Sequence, residues 1–290
     1  MDIEKPIVIV GTGRNGSTLF YDLFSRHPRV AWLPRRISDW FPGKVELIRH
    51  FMRMIDLPVV GKYLYNLLPP HESYPFWDHY FRGFSQTHRD LFAEDVTPRT
   101  RQSLTNALSQ ILTLKRNRLL LKITGWPRLG FIQEIFTDTK FIHIIRDGRA
   151  VANSLINVSW WPGWRGPAVW YWGALTPQQQ AEWKKYNYSY LVLAAIGWKI
   201  LMDAMEKAKS LVPAEQFLEI KYEELCANPT EVFRRVVDFC ELSWEGSFEK
   251  EIRRYPVHNT NFKWQKELTQ NQQRILNEVL ETYLKRYGYL

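Results

Sequence analysis

The stretch from Ile7 to Phe24, IVIVGTGRNGSTLFYDLF, constrains the fold more than any other. Its opening, Ile7-Val8-Ile9-Val10, is β-branched and wholly apolar, the composition of a strand buried on both faces. The run breaks at Gly11, and from Ser17 or Thr18 onward Leu19, Leu23 and Phe24 recur at helical spacing. Strand, glycine-punctuated turn and helix together make an anion site. Gly11, Gly13 and Gly16 let the backbone approach a ligand, and the helix start offers free N–H groups and the positive end of its dipole. An α/β protein that binds something phosphorylated at this turn is the expectation.

Three loop chemistries share this outline. Gly11-Thr12-Gly13-Arg14-Asn15-Gly16 satisfies G-x-G-x-x-G, and Arg35 and Arg36 would suit a 2′-phosphate, so an NADP-binding reading stays open on this stretch. The same residues miss G-x-x-x-x-G-K-[ST] because Ser17 stands where the lysine belongs, which argues against ATP or GTP hydrolysis. The third option keeps the P-loop frame, takes its cation from Arg14 and its hydroxyls from Ser17 and Thr18, and suits a shorter anion such as a phosphosulfate.

A second block, Lys140 to Ile156 (KFIHIIRDGRAVANSLI), again reads as strand, polar turn and helix. Arg146 falls at the strand's carboxyl end, where open α/β sheets bind ligands, and Ser154 lies two turns into the helix. With both blocks in hand, the chain resembles the superfamily of sulfotransferases that use 3′-phosphoadenosine 5′-phosphosulfate (PAPS), in its bacterial and tyrosylprotein-type branch. Gly11 to Thr18 is similar to the family's G-x-x-R-S-G-T-T loop for the 5′-phosphosulfate, and Arg146 to Ser154 to its R-D-x-R-x-x-x-x-S motif for the 3′-phosphate.

The resemblance implies a P-loop-like, three-layer α/β fold with a central, mostly parallel sheet of about five strands and an inserted helical cap. It also implies in-line transfer of a sulfuryl group from PAPS to a hydroxyl or amine of a small-molecule or carbohydrate acceptor, leaving 3′-phosphoadenosine 5′-phosphate. Gly13, Arg14, Asn15, Gly16, Ser17, Thr18, Arg146 and Ser154 would bind the cofactor. Leu119 to Ile123 reads as a buried strand, and Lys122 near its end is costly unless it faces a polar site. It looks like the family's catalytic lysine, which would act with Arg14 on the leaving phosphate. Tyr222, in a Y-E-x-L…P segment, and Lys263, in a late Lys-Trp pair, resemble further cofactor contacts. Between Ser243 and His258 the resemblance lapses.

The remainder is read from residue types. The chain, 290 residues with 45% hydrophobic and 24% charged side chains, is expected to form a single domain over 1–290, with the cap at about 34–95. Prolines chop that region into short helical pieces rich in Trp, Tyr and Phe. The net charge of +9 suits an anionic small ligand, and no nucleic-acid motif accompanies it. No leader or 18-residue apolar span is evident and Cys226 and Cys240 read as reduced thiols, so a cytoplasmic enzyme without a transmembrane segment is expected. The seven histidines show no metal-ligand spacing.

Two questions stay open at this level. The family's usual base position, soon after the second strand, holds Pro34-Arg35-Arg36, so Glu94, Asp95 and His88, with Asp39, are the substitutes for a general base. The aromatic stretch Ser159 to Trp172 is either an acceptor wall carrying Trp161 and Trp164 or a hydrophobic plug. The rivals to a sulfotransferase are an NADP-dependent oxidoreductase, which leaves Arg146, Ser154 and Lys122 without a role, and a non-catalytic nucleotide-binding protein.

Overall fold

In the computed structural model, which describes residues 2–86 and 88–290, five strands form one sheet. They are β1 (Ile7–Gly11), β2 (Val30–Ala31), β3 (Arg118–Thr124), β4 (Lys140–Ile145) and β5 (Phe217–Lys221). The order across the sheet is β2-β3-β1-β4-β5, and every neighbouring pair is parallel. β1 is therefore central, with Ile7 opposite Leu120 on one side and opposite Lys140 on the other. Ile7 to Val10 have no exposed surface, as a strand covered on both faces requires. Because the chain first lays strands on one side of β1 and then on the other, the carboxyl ends of β1 and β4 open onto a crevice.

Helices follow where the local signals put them. Ser17–Phe24 turns Phe20, Leu23 and Phe24 inward, and Thr97 caps Pro98–Ser109 by accepting a hydrogen bond from the Thr100 N–H. The helical stretch 178–210 divides into Pro177–Lys185 and Tyr190–Lys209, because Asn187 and Tyr188 both take positive φ and no helix runs through that conformation. A helix at Gly246–Arg254 fills part of the stretch between Ser243 and His258. The closing helix, Gln270–Arg286, opens with a capping box formed by Thr269 and Gln272. Buried side chains fall into two clusters. One joins β1, the first helix and the cap; the other joins Ile145, Val151, Trp161, Trp170 and Trp198 to the closing helix.

The region expected as a cap has two parts. Residues 36–69 form an arm pinched shut at its base: Pro34 bridges to Pro70, the Arg35 N–H donates to the Pro69 carbonyl at 2.9 Å, and the His71 N–H donates to the Leu33 carbonyl at 3.0 Å. The arm carries helices Val45–Met54 and Val60–Leu67, and Tyr65 ties it down by donating to the Asp22 carbonyl at 2.7 Å. Past this neck the chain returns over the sheet through Tyr74–Tyr80 and two short turns ending at Asp95. The neck sets His71, Glu72 and Tyr74 at the cavity that the carboxyl ends of β1 and β3 share.

Candidate active site

The turn after β1 is held by its own asparagine. Asn15 donates from Nδ2 to the Ile144 carbonyl of β4 at 2.5 Å and accepts from the Ser17 N–H at 3.3 Å, closing the loop over the sheet. A Cβ at Gly11 would lie 1.8 Å from that Nδ2, so only glycine admits the strap. Gly16 stands at φ +92°, and a Cβ there would lie 2.2 Å from the Tyr222 ring, which packs flat against the loop. Asn15 and Gly16 thus shape the turn, whereas Gly13, Arg14, Ser17 and Thr18 face the cavity.

The second block meets the first directly. Arg14 donates from Nε to Ser154 Oγ at 2.9 Å, and Arg146 donates from Nη1 to the Arg14 carbonyl at 3.0 Å. Arg146 also donates to the Thr260 carbonyl and to Asn261 Oδ1, at 2.9 and 3.2 Å, and its guanidinium stacks 4.3 Å from the Tyr222 ring centroid. Burial lowers the guanidinium's pKa from its ordinary value, and the acceptors around it compensate the charge. The Tyr222 hydroxyl donates to the His258 carbonyl at 3.2 Å, so this ring joins the loop, Arg146 and the 258–261 segment. Lys263 begins the next short helix, two residues past Asn261, and is exposed.

Lys122 points from β3 into the same space. Its ammonium donates to Thr18 Oγ1 at 2.9 Å and pairs with Glu72 Oε1 at 2.8 Å, in a position where the lysine is 6% exposed. Thr124, at the end of β3, donates to both oxygens of Glu72 at 3.0 and 2.9 Å. Burial pushes the Glu72 pKa up, but the Lys122 charge and the hydrogen bonds from Lys122 and Thr124 outweigh it and hold the carboxyl below its ordinary value. Sequence reasoning missed Glu72: it follows Pro69-Pro70-His71 with no periodic signal, and only the neck brings it to β3.

These groups line one cavity of about 650 Å³, whose other walls include Arg35, Arg128, Trp126, Trp160, Tyr171 and Trp172. The positions expected for a general base lie outside it. Asp95 is held by Arg89 at 2.6 Å and accepts from the Phe92 N–H, Glu94 and His88 are exposed, and Asp39 pairs with His71 at 3.3 Å. The aromatic stretch divides residue by residue. Trp161 is buried beneath Gly163 and, with the half-exposed Trp164, lines a neighbouring cavity of about 430 Å³, while Trp160, Tyr171 and Trp172 face the cavity of Lys122. Among the described residues, no group of three or more His, Cys, Asp or Glu side chains has metal-site geometry, and no helix is long and apolar enough to cross a membrane.

A parallel sheet with a P-loop-like turn at its centre, cations on that turn and a buried lysine at the next strand's end define an α/β transferase of anionic groups. The chain belongs to the sulfotransferase family: the pattern described as "Sulfotransferase family" matches residues 6–246. It is similar to the omega-hydroxy-beta-dihydromenaquinone-9 sulfotransferases Stf3 of Mycobacterium bovis and Mycobacterium tuberculosis. Each is 25% identical over 317 aligned residues, covering 99% of this chain and 76% of theirs. Among solved structures, sulfotransferase STF9 from Mycobacterium avium superposes with a TM-score of 0.58 at 16% identity, covering 99% of this chain and 77% of that one. The sulfotransferase domain of the Synechococcus PCC 7002 olefin synthase gives 0.52 at 16% identity, covering 98% and 96%. These likenesses fix the fold, and the family decides against the NADP-dependent oxidoreductase.

Proposed function

We propose that this protein transfers a sulfuryl group from PAPS to a hydroxyl on an apolar small molecule, with Lys122 and Arg14 on the leaving side and Glu72 on the acceptor side. The observation that carries the reading is the Arg14–Ser154 hydrogen bond, which joins the two cofactor blocks into one site although 140 residues separate them. PAPS would supply the sulfuryl group and a bisphosphate leaving group. Arg14, the Ser17 and Thr18 hydroxyls and the N–H groups of the helix start would hold the 5′ end. Arg146, Ser154 and Tyr222 would hold the 3′-phosphate, and Lys263 would add a cation from the 260s loop.

The Lys122 ammonium, already on Thr18, is placed to neutralise negative charge as it gathers on the leaving oxygen. The Glu72 carboxylate is ionised at neutral pH and stands beside the lysine, open to the cavity, where it can accept the proton of an acceptor hydroxyl. An anion that draws Lys122 toward itself leaves that carboxylate less compensated, which raises its proton affinity in the direction a base needs. Trp160, Tyr171 and Trp172 would receive the acceptor in place of Trp161 and Trp164. The name of the mycobacterial relatives, an omega-hydroxylated menaquinone sulfotransferase, supports a hydroxyl on an apolar body. Two unpaired cysteines, both with thiol pKa values raised by burial, support a reducing, cytoplasmic setting.

The test is a calorimetric titration of the pure protein with 3′-phosphoadenosine 5′-phosphate, PAPS and NADP, followed by turnover of labelled PAPS with hydroxylated acceptors. Tight bisphosphate binding that Arg146→Ala abolishes, with Glu72→Gln keeping that binding and losing roughly 100-fold or more in turnover, supports the assignment. Binding without turnover for every acceptor would return the non-catalytic reading. Full turnover in Glu72→Gln would remove the base.

A further inference from the structure

The arm of residues 36–69 carries apolar surface that its own packing does not use. Its first long helix already buries Val45, Ile48, Phe51 and Met52 against the core. Beyond that helix the chain turns through Leu57, Val59 and Val60, all exposed, with Val59 at 87%. Trp40 and Tyr63, on the flanking helices, are each 69% exposed. Large side chains left in water along one short arm are the pattern of a surface that meets something apolar.

The charges on the arm identify what that is. Lys44, Arg53 and Lys62 are exposed, while two of the arm's three acids are already partnered, Asp39 with His71 and Asp56 with Arg116 and Lys115. Aliphatic residues at a turn, amphipathic aromatics beside them and a surplus of basic side chains are the composition of an element that lies in a bilayer interface. A protein partner would need complementary acids and a shaped pocket, whereas an anionic lipid surface needs only this mixture. The chain's net charge of +9 adds long-range attraction to the same partner.

We propose that the arm docks this protein onto anionic membrane surfaces, with Leu57, Val59 and Val60 entering the interface and Lys44, Arg53 and Lys62 meeting lipid phosphates. The arm's neck joins the docking surface to the cavity, since Arg35, Pro70 and His71 line it. A docked arm therefore holds the acceptor side of the cavity close to the bilayer, where a lipid-dissolved acceptor resides. The docking itself does not depend on the sulfuryl chemistry.

The experiment is co-sedimentation of the full chain with phosphatidylcholine vesicles, with and without about one-third phosphatidylglycerol, alongside light scattering of the free protein. Expected are binding to the anionic vesicles, roughly tenfold weaker binding to the neutral ones, and a matching loss on raising the salt. Leu57→Glu/Val59→Glu/Val60→Glu and Lys44→Glu/Lys62→Glu should each lower partitioning by roughly tenfold or more, with bisphosphate binding unchanged. If either variant fails to fold by circular dichroism, the salt and lipid dependence of the unaltered chain decides. No vesicle binding, or equal binding to neutral and anionic vesicles, overturns the proposal. So does a dimer of the unaltered chain that Val59→Glu dissociates, because the arm would then be a self-association surface.

Discussion

Removing Lys122 should destabilise the protein more than removing the pair of which it is part. The two charges sit 2.8 Å apart in a poorly hydrated position, an attraction of roughly 6 kcal/mol at an effective dielectric of 20. That attraction offsets a desolvation cost of several kcal/mol for each ion. Lys122→Met withdraws the attraction and leaves the Glu72 carboxylate with only the neutral Thr124 and Tyr74 hydroxyls as partners, at an expected cost of about 3–5 kcal/mol. Lys122→Met combined with Glu72→Gln removes both ions and should recover most of that loss, ending within about 1 kcal/mol of the unaltered chain. The pH dependence should also change sign. With Lys122 present the Glu72 pKa is depressed, so its stabilisation holds above the carboxylate's ordinary pKa and is lost as pH falls through the folded value. Without Lys122, burial, the largest influence, is opposed only by the hydrogen bonds of the neutral Tyr74 and Thr124 and raises the pKa, so the single variant should gain stability as pH is lowered from neutrality toward the ordinary carboxylate range. Urea unfolding of the four proteins at pH 7 and pH 5 measures both effects. A Lys122→Met loss below about 1 kcal/mol, or a double variant that loses the sum of the two single losses, refutes the reasoning.

Three further outcomes follow from other contacts. Gly16→Ala forces a Cβ into the Tyr222 ring at φ +92°, and a loss of about 1–3 kcal/mol in thermal unfolding with weakened bisphosphate binding is expected. Asp90 is 5% exposed and burial lifts its pKa to about 6, so its burial costs stability progressively as pH rises from about 4 to 6; Asp90→Asn, whose amide oxygen can keep the bonds from the Arg128 and Leu91 N–H groups, should gain about 2–3 kcal/mol at pH 7 and almost nothing at pH 4. Trp172→Ala should raise the acceptor KM at a smaller cost in stability, whereas Trp161→Ala, from a fully packed position, should cost about 3–5 kcal/mol and leave the KM alone.

What could be read from the sequence was what local chemistry determines. β1, its turn and the first helix are written in consecutive residues, and Arg146 and Ser154 lie on one short strand-to-helix step; the structure adds that Arg14 touches Ser154. Lys122 was legible because a charge near the end of an apolar strand has few places to go. Glu72 was not, because it reaches the site only through the neck between Pro34 and Pro70, a pairing across the whole arm that no window of sequence contains. The tryptophan stretch was misleading for a related reason. Its glycines and prolines suppress any periodicity, so nothing local distinguishes Trp160, which faces the cavity, from Trp161, which is buried one residue on.

The pinched neck and the arm's packed base also separate the part of the chain that can change length from the part that cannot. A segment whose two ends are already hydrogen-bonded to each other can change length at small cost, since each doubling of a closed loop adds only about 0.6 kcal/mol of closure entropy. The exposed turn at 57–60 can therefore be lengthened or exchanged while Val45, Ile48, Phe51, Met52 and Tyr65 keep the arm packed on the core and Glu72, anchored just past the neck, keeps its distance from Lys122. The arm's tip is in effect a replaceable attachment on a packed base, and grafting a different turn between Asp56 and Gly61 is a direct route to changing the surface this protein presents.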